Sequence, residues 1–246
     1  MIITIDNQPV EVSPGETILT AARRADINIP TLCYHEAFGG QGICRMCMVE
    51  VKSRDATRLV ASCTYPVTEE IEVRTSTPAI EKIRCNIIML LYKQAAGSQL
   101  ISELYHEYEC TGNPLAVDHQ ERCILCQLCV KACEELGTSA ISAVLRGTEK
   151  RISTPYDEPA LACIGCKACA EICPTGAIEV TETKNQRVIW NKTFELIKCE
   201  HCGNTIGTVE QLRYLDDKLQ INKKELKLCE NCRKKVLAEK LAQYTE

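Results

Sequence analysis

Residues 2–5 and 10–12 alternate between apolar and polar positions on either side of Asn7-Gln8-Pro9, which predicts a hairpin turning at those three residues. From Ser13 the period lengthens. Ser13 and Glu16 have the spacing of a capping box, and Ile18, Ala21, Ala22 and Ala25 share one close-packing face, so a short helix is expected near 17–25. Further strands are expected near 47–51, 58–62 and 71–75. Two strands, a helix and more strands in so short a stretch suit a small β-grasp sheet better than a parallel α/β domain. Thr77 as N-cap, Pro78 in the first turn and Ile80, Ile83, Ile87, Leu90 and Leu91 on one face predict a helix over 78–96 whose stripe packs between domains. Ser98 caps a second helix carrying His106. Much later, Arg187–Trp190 and Thr193–Ile197 read as a hairpin, and Arg233 to Gln243 as a basic helix.

Composition changes this picture. With 18 cysteines and only 4% aromatic residues in 246, the chain cannot rest on ordinary apolar cores alone. Metal sites must substitute for part of them. Met1 leads straight into a strand with no leader-like segment, and no apolar run approaches membrane-spanning length. A soluble, cytoplasmic chain without membrane insertion is therefore expected, and in a reducing compartment its cysteines are metal ligands rather than a disulfide framework.

The cysteines fall into sets. Cys123, Cys126, Cys129 and Cys133, and then Cys163, Cys166, Cys169 and Cys173 before Pro174, each read C-x2-C-x2-C-x3-C, the second set 40 residues after the first. This duplication is a two-cluster ferredoxin signature in which the fourth cysteine ligates the other cluster. One [4Fe-4S] cluster is thus assigned to Cys123, Cys126, Cys129 and Cys173, the other to Cys163, Cys166, Cys169 and Cys133. Neither zinc nor disulfides explain two such sets. Residues 134–162 lengthen the gap and are read as an insertion carrying a hairpin, with a partner-facing surface or a plain loop as the two readings.

Cys33, Cys44, Cys47 and Cys63 lie within the N-terminal sheet, and Gly39, Gly40 and Gly42 allow the backbone to close around a cluster and aim N–H groups at its sulfurs. A [2Fe-2S] site is expected, with structural zinc as the alternative. The first gap, of ten residues, exceeds that of plant-type ferredoxins.

Ile29-Pro30-Thr31-Leu32-Cys33-Tyr34-His35 and Cys44-Arg45-Met46-Cys47-Met48-Val49-Glu50-Val51 resemble the NuoG/HoxU group, the iron–sulfur subunits of respiratory complex I, bidirectional hydrogenases and iron-only hydrogenases. The resemblance resumes over 123–180. It implies a β-grasp [2Fe-2S] domain, a ferredoxin-like domain and exchange of electrons with a flavoprotein that oxidises NAD(P)H. His35 is expected to be a structural or outer residue there, since four thiolates fill the site. The family also holds a cluster on an H-x3-C-x2-C-x5-C pattern; here His106 and Cys110 fit but Asn113 and His119 follow. That cluster is expected to be lost, His106 and Cys110 being packing residues or remnants. Cys85 reads as a small buried hydrophobe.

Beyond residue 185 the resemblance is read as ending. Cys199-Glu200-His201-Cys202 and Cys229-Glu230-Asn231-Cys232 form paired C-x2-C knuckles that predict a zinc ribbon, with a [4Fe-4S] cluster or a rubredoxin-like iron as alternatives.

The expected class is α+β: a β-grasp [2Fe-2S] domain over 1–77, a helical linker with the degenerate cluster region over 78–116, a two-[4Fe-4S] bacterial-ferredoxin-like domain over 117–184 and a small zinc-ribbon-like domain over 185–246. The formal charge of −4 becomes roughly −12 once four four-thiolate sites are filled, which disfavours nucleic acid. The ligand sets are closed and no catalytic residues are identified. The reading is an electron-wiring subunit, carrying one [2Fe-2S], two [4Fe-4S] and one Zn2+. It would lie between a flavoprotein NAD(P)H-oxidising subunit and a second redox-catalytic subunit such as a hydrogenase, formate dehydrogenase or transhydrogenase. An independent ferredoxin-like carrier and a metal-stabilised regulatory or nucleic-acid-binding protein are the other classes considered.

Overall fold

The computed structural model describes residues 1–53, 56–110, 120–219 and 227–242, which fall into two compact units. Met1–Lys131 with Cys173–Ala177 form the first, and Ala132–Ile172 with Ile178–Glu246 the second. It is a mixed α/β protein.

In the first unit β1 (Ile2–Ile5) and β2 (Gln8–Glu11) precede α1 (Ile18–Arg24), followed by the short pair β3 (Tyr34–His35) and β4 (Gly39–Gly40) and then β5 (Met48–Ser53), β6 (Ala56–Ala61) and β7 (Glu72–Arg74). The main sheet runs β2-β1-β7-β5-β6, with β1 and β7 parallel and the other neighbours antiparallel. Ile3, Ile5, Val10, Val49, Val51 and Val73 pack with Ile18, Leu19, Ala21 and Ala22 of α1 in one core. The two alanines let α1 lie close to the sheet.

Two local expectations are corrected. Ile5 pairs with Gln8, so the hairpin turns on Asp6 and Asn7, both left-handed (φ 48° and 68°), and Pro9 already belongs to β2. This is the primed two-residue turn that matches strand twist. The cap of α1 is Thr17, whose Oγ1 accepts from the Thr20 N–H at 3.2 Å, while Glu16 accepts from the Ser13 N–H at 3.0 Å one residue outside the helix.

α2 (Pro78–Gln94) is capped by Thr77 and α3 (Gln99–Glu107) by Ser98, as expected. The buried face of α2 is Ile80, Arg84 and Ile88, at i, i+4 and i+8, whereas Leu90 is 69% exposed. The face is turned because Arg84, only 4% exposed, donates to the carbonyls of Met46, Met48 and Thr75 at 3.1, 3.2 and 2.9 Å. Those bonds satisfy carbonyls at the ends of β5 and β7 and pin α2 beside the Cys44–Cys47 loop.

α4 (Leu128–Glu135) carries the chain from one unit into the other. In the second unit β8 (Ser142–Val144) and β9 (Arg151–Ser153) form the hairpin expected within 134–162. After α5 (Ala168–Glu171) come β10 (Thr181–Glu182), β11 (Gln186–Ile189), β12 (Lys192–Lys198) and β13 (Thr205–Thr208), an antiparallel sheet in chain order. α6 (Val209–Leu219) and α7 (Glu230–Ala242) follow. Phe194 on β12 is fully buried, its ring so close to Gly165 that a Cβ there would lie 2.7 Å from it. Among the described residues no helix is long and apolar enough to cross a membrane.

Candidate metal centres

Cys33 and Cys63 flank the β3–β4 pair and the end of β6, while Cys44 and Cys47 bracket a tight loop in which Arg45 is left-handed (φ 60°). Gly40 passes so close to Cys63 that a Cβ would meet its Sγ at 2.6 Å, the close approach that requires glycine. The Cys44 N–H donates to the Cys33 Sγ at 3.3 Å. Its four thiols form two coupled pairs. Cys33 is lowered to about 6, chiefly by a hydrogen bond from Cys44, and Cys44 is pushed up as the partner that keeps the proton. Cys47 is likewise lowered to about 6 by Cys63, which is pushed up in turn. Two pairs of sulfurs, with N–H groups aimed at them, fit two irons better than one.

The next cysteines hold backbone conformations that few side chains adopt. Leu125 and Gln127 are left-handed (φ 53° and 62°), and so are Gly165 and Lys167 at the matching places of the repeat (φ 68° and 59°). This turns the N–H groups of Leu125 and Gly165 onto Cys123 and Cys163, whose thiols burial pushes up and these N–H groups pull part of the way back. Successive N–H groups in such a nest favour an anionic group. Burial pushes Cys126 and Cys169 up to about 11, so they resist ionisation unless a cation faces them. A bound metal would supply that charge.

Cys133 lines one apolar cavity with Cys163, Cys166 and Cys169, and its charge acts on all three. Cys173, with its own stretch of chain in the first unit, acts on Cys123 and Cys126. The fourth cysteines are matched in detail: Ala140 N–H donates to the Cys133 Sγ at 3.2 Å and Ala177 N–H to the Cys173 Sγ at 3.3 Å. The Cys33 charge also reaches Cys126, within the first unit.

At the C-terminal end of β12 the Sγ atoms of Cys199, Cys202, Cys229 and Cys232 all lie within 4.8 Å of one another. Gly203, left-handed at φ 74°, closes the first knuckle with its N–H on the Cys199 carbonyl at 2.9 Å, and the Cys229 N–H donates to the Cys199 Sγ at 3.3 Å. Cys199 is lowered to about 6, first by that Cys229 N–H. His201 Nδ1 lies 3.8 Å from the Cys232 Sγ, outside the four-sulfur group.

His35 accepts from the Ala37 N–H at 3.2 Å and packs on Phe38, a local structural role. His106 is exposed and lies edge-on to Tyr105. Asn113 and His119 lie outside the described residues. Cys85 is not an isolated buried group: it is half-buried and bonded to Cys110 in a disulfide, with Cα atoms 5.5 Å apart. Their separation of 25 residues hid that pairing.

The profile of the 2Fe-2S iron-sulfur cluster binding domain matches residues 1–78, and two 4Fe-4S dicluster domain profiles match 116–180 and 162–208. The G 2 subunit of the NADH-quinone oxidoreductase of Rhizobium meliloti is 30% identical over 228 residues, covering 82% of this chain and 26% of that protein. The alpha subunit of the NADPH-Fe(3+) oxidoreductase of Geobacter sulfurreducens is 31% identical over 226 residues, with the same coverage of 82% and 26%. The HndD subunit of the NADP-reducing hydrogenase of Solidesulfovibrio fructosivorans is 30% identical over 211 residues, covering 72% and 36%. The crystal structure of an NAD+-reducing [NiFe]-hydrogenase in the H2-reduced state contains a chain that superposes with a TM-score of 0.62 at 27% identity, over 72% of this chain and 85% of that one. The chain is similar to the NuoG/HoxU-like iron–sulfur subunits. It spans about a quarter of the length of the first two relatives. The second 4Fe-4S dicluster match, over 162–208, takes in β11, β12 and β13.

Proposed function

We propose that this NuoG/HoxU-like chain wires single electrons through a soluble, cytoplasmic, multisubunit NAD(P)-linked oxidoreductase, between a flavoprotein that oxidises NAD(P)H and a second redox-catalytic subunit. Cys33, Cys44, Cys47 and Cys63 hold a [2Fe-2S] cluster in a β-grasp domain. Cys123, Cys126, Cys129 and Cys173 hold one [4Fe-4S], and Cys163, Cys166, Cys169 and Cys133 the other. When bound, such clusters take up and release single electrons without breaking bonds. The residues supply the rest: thiolates that fill every ligand position, N–H groups that steady the sulfurs, and apolar walls that exclude water.

The observation that carries this reading is the gathering of the cysteines into closed sets: Cys44 N–H on the Cys33 Sγ beside Cys63 at Gly40, Cys173 returned to the unit of Cys123, Cys126 and Cys129, and Cys133 lining one cavity with Cys163, Cys166 and Cys169. The relatives' names, which speak of NADH, NADPH and NADP, point to the class of partner. For the C-terminal set, zinc is favoured by compactness. A tetrahedral ion with Zn–S near 2.3 Å places its sulfurs about 3.8 Å apart, and the Cys202 and Cys229 sulfurs stand 3.6 Å apart. A cubane spreads its thiolates wider. Nucleic acid is not a partner in this reading.

Metal analysis with EPR of the reduced, anaerobic protein tests it. About ten irons and one zinc per chain are expected; about fourteen irons without zinc would overturn the zinc site. The isolated chain is expected not to oxidise NAD(P)H and to be reduced by it only with the flavoprotein present. Flavin-independent oxidation would sink the wiring role.

A further inference from the structure

The β11–β12 hairpin is placed against one cubane site, and its turn is built from unusual residues. Ile189 pairs with Lys192, so Trp190 and Asn191 form the two-residue turn, both left-handed (φ 51° and 56°). Asparagine suits that conformation; a bulky tryptophan does not, and glycine or aspartate would serve the turn better. A residue in such a conformation persists where its surroundings hold it there. Here the strain presents the indole to the cysteines: Trp190 Nε1 donates to the Cys169 Sγ at 3.5 Å.

Three cations accompany it. Lys192 Nζ donates to the carbonyls of Cys163, Ala160 and Leu161 at 2.8, 3.0 and 3.3 Å, and among the described residues no carboxylate pairs with it. Arg187, 4% exposed, donates to the Gly165 carbonyl inside the ligand loop; Glu182, at 2.8 Å, offsets part of its charge. Lys167, in the same loop, is offset by Glu171 at 2.8 Å. In the other repeat the first cysteine's carbonyl accepts instead from the neutral Gln94 amide, at 3.1 Å, and its N–H donates to an anion, Glu121 Oε1, at 2.7 Å.

We propose that Trp190 and Lys192 are positioning residues that raise the reduction potential of the cubane held by Cys163, Cys166, Cys169 and Cys133, making it the higher-potential of the pair. The inference rests on the ligand assignment given under the proposed function. Reduction adds negative charge, which an N–H donor on a ligand sulfur and an uncompensated ammonium beside the first cysteine both favour. Burial does not decide the order, because the cysteines of the two sites are similarly covered: Cys126 and Cys129 are 6% and 7% exposed, Cys163 and Cys169 both 9%. The unlike charges and the indole donor remain as the difference.

The test is an anaerobic EPR redox titration of the reconstituted full chain and of Trp190→Phe, Lys192→Met, Lys192→Arg and Cys163→Ser. Cys163→Ser is expected to remove the higher-potential cubane signal and so to identify it. Trp190→Phe and Lys192→Met are each expected to shift that signal's midpoint downward, with the other cubane unmoved, and Lys192→Arg to restore it. If Cys163→Ser leaves both cubane signals, the ligand assignment fails. If Cys163→Ser removes one signal but neither Trp190→Phe nor Lys192→Met moves its midpoint, or the lost signal is the lower-potential one, the assignment stands and the present inference is overturned.

Discussion

The two halves of the ferredoxin-like repeat have the same cysteine spacing, left-handed backbone at the same two places and an alanine N–H on the fourth sulfur, yet different surroundings. Around Cys163, a cation, an indole and the Phe194 ring come from chain that lies 27 to 31 residues further on. Around Cys123, Gln94 of α2 donates to the Cys123 carbonyl at 3.1 Å and Glu121 caps its N–H. The lesson is that a duplicated motif fixes how a cluster is gripped, and its neighbours fix what the cluster does. Identical ligands leave the potential open, because hydrogen bonds and charge outside the ligand set tune it.

The largest effect expected bears on the crossing of the fourth ligands. Cys173→Ser should cost the cluster nested with Cys123, Cys126 and Cys129, and Cys133→Ser the cluster nested with Cys163, Cys166 and Cys169. Iron content and EPR of each variant, compared with Cys123→Ser and Cys163→Ser, check this. Loss within the variant's own repeat would break the comparison.

Next comes the asymmetry at the first left-handed position. Gly165→Ala places a Cβ 2.7 Å from the Phe194 ring at φ 68°. Overpacking of about 1–3 kcal/mol is expected, with about 1 kcal/mol more for the left-handed backbone. Leu125→Gly, at φ 53° in the other half, relieves the backbone at the expense of a half-buried side chain. It should change stability by less than about 1 kcal/mol. The temperature at which cubane absorbance is lost should therefore fall clearly in the first variant and hardly move in the second. Equal effects would mean that Phe194 can yield.

The smallest effect is expected at Cys85 and Cys110, which lie outside both halves. Cys85→Ala with Cys110→Ala should leave iron content and all cluster EPR signals unchanged, the two cysteines serving as no cluster's ligands. Loss of iron would show a cluster in the region where sequence spacing argues against one.

Much of the local structure was legible. Pro78 after Thr77 and the Ser98 cap located α2 and α3, and alternation located β1, β5, β11 and β12 to within a residue or two. The turn at Asp6-Asn7 was misplaced because Pro9 is the louder signal, although an edge strand such as β2 tolerates proline. The face of α2 was misread because apolar residues alone were counted. Arg84 is buried by the carbonyls it satisfies, and these lie 9 to 38 residues away. Nothing local distinguishes such an arginine from a solvated one.

By itself the sequence determined that the chain carries 2Fe-2S and 4Fe-4S domains, because iron–sulfur ligand chemistry is written in cysteine spacing. It also determined the elements that carry them, because helix caps and hydrophobic period act over a few residues. Only the tertiary structure decided which charges and donors stand around each centre. Trp190 and Lys192 read as the end of one strand and the approach to another, and their meeting with Cys169 and Cys163 depends on how a sheet folds back over a loop. Such contacts are set by packing between residues far apart in the chain, for which a single sequence carries no period, cap or spacing.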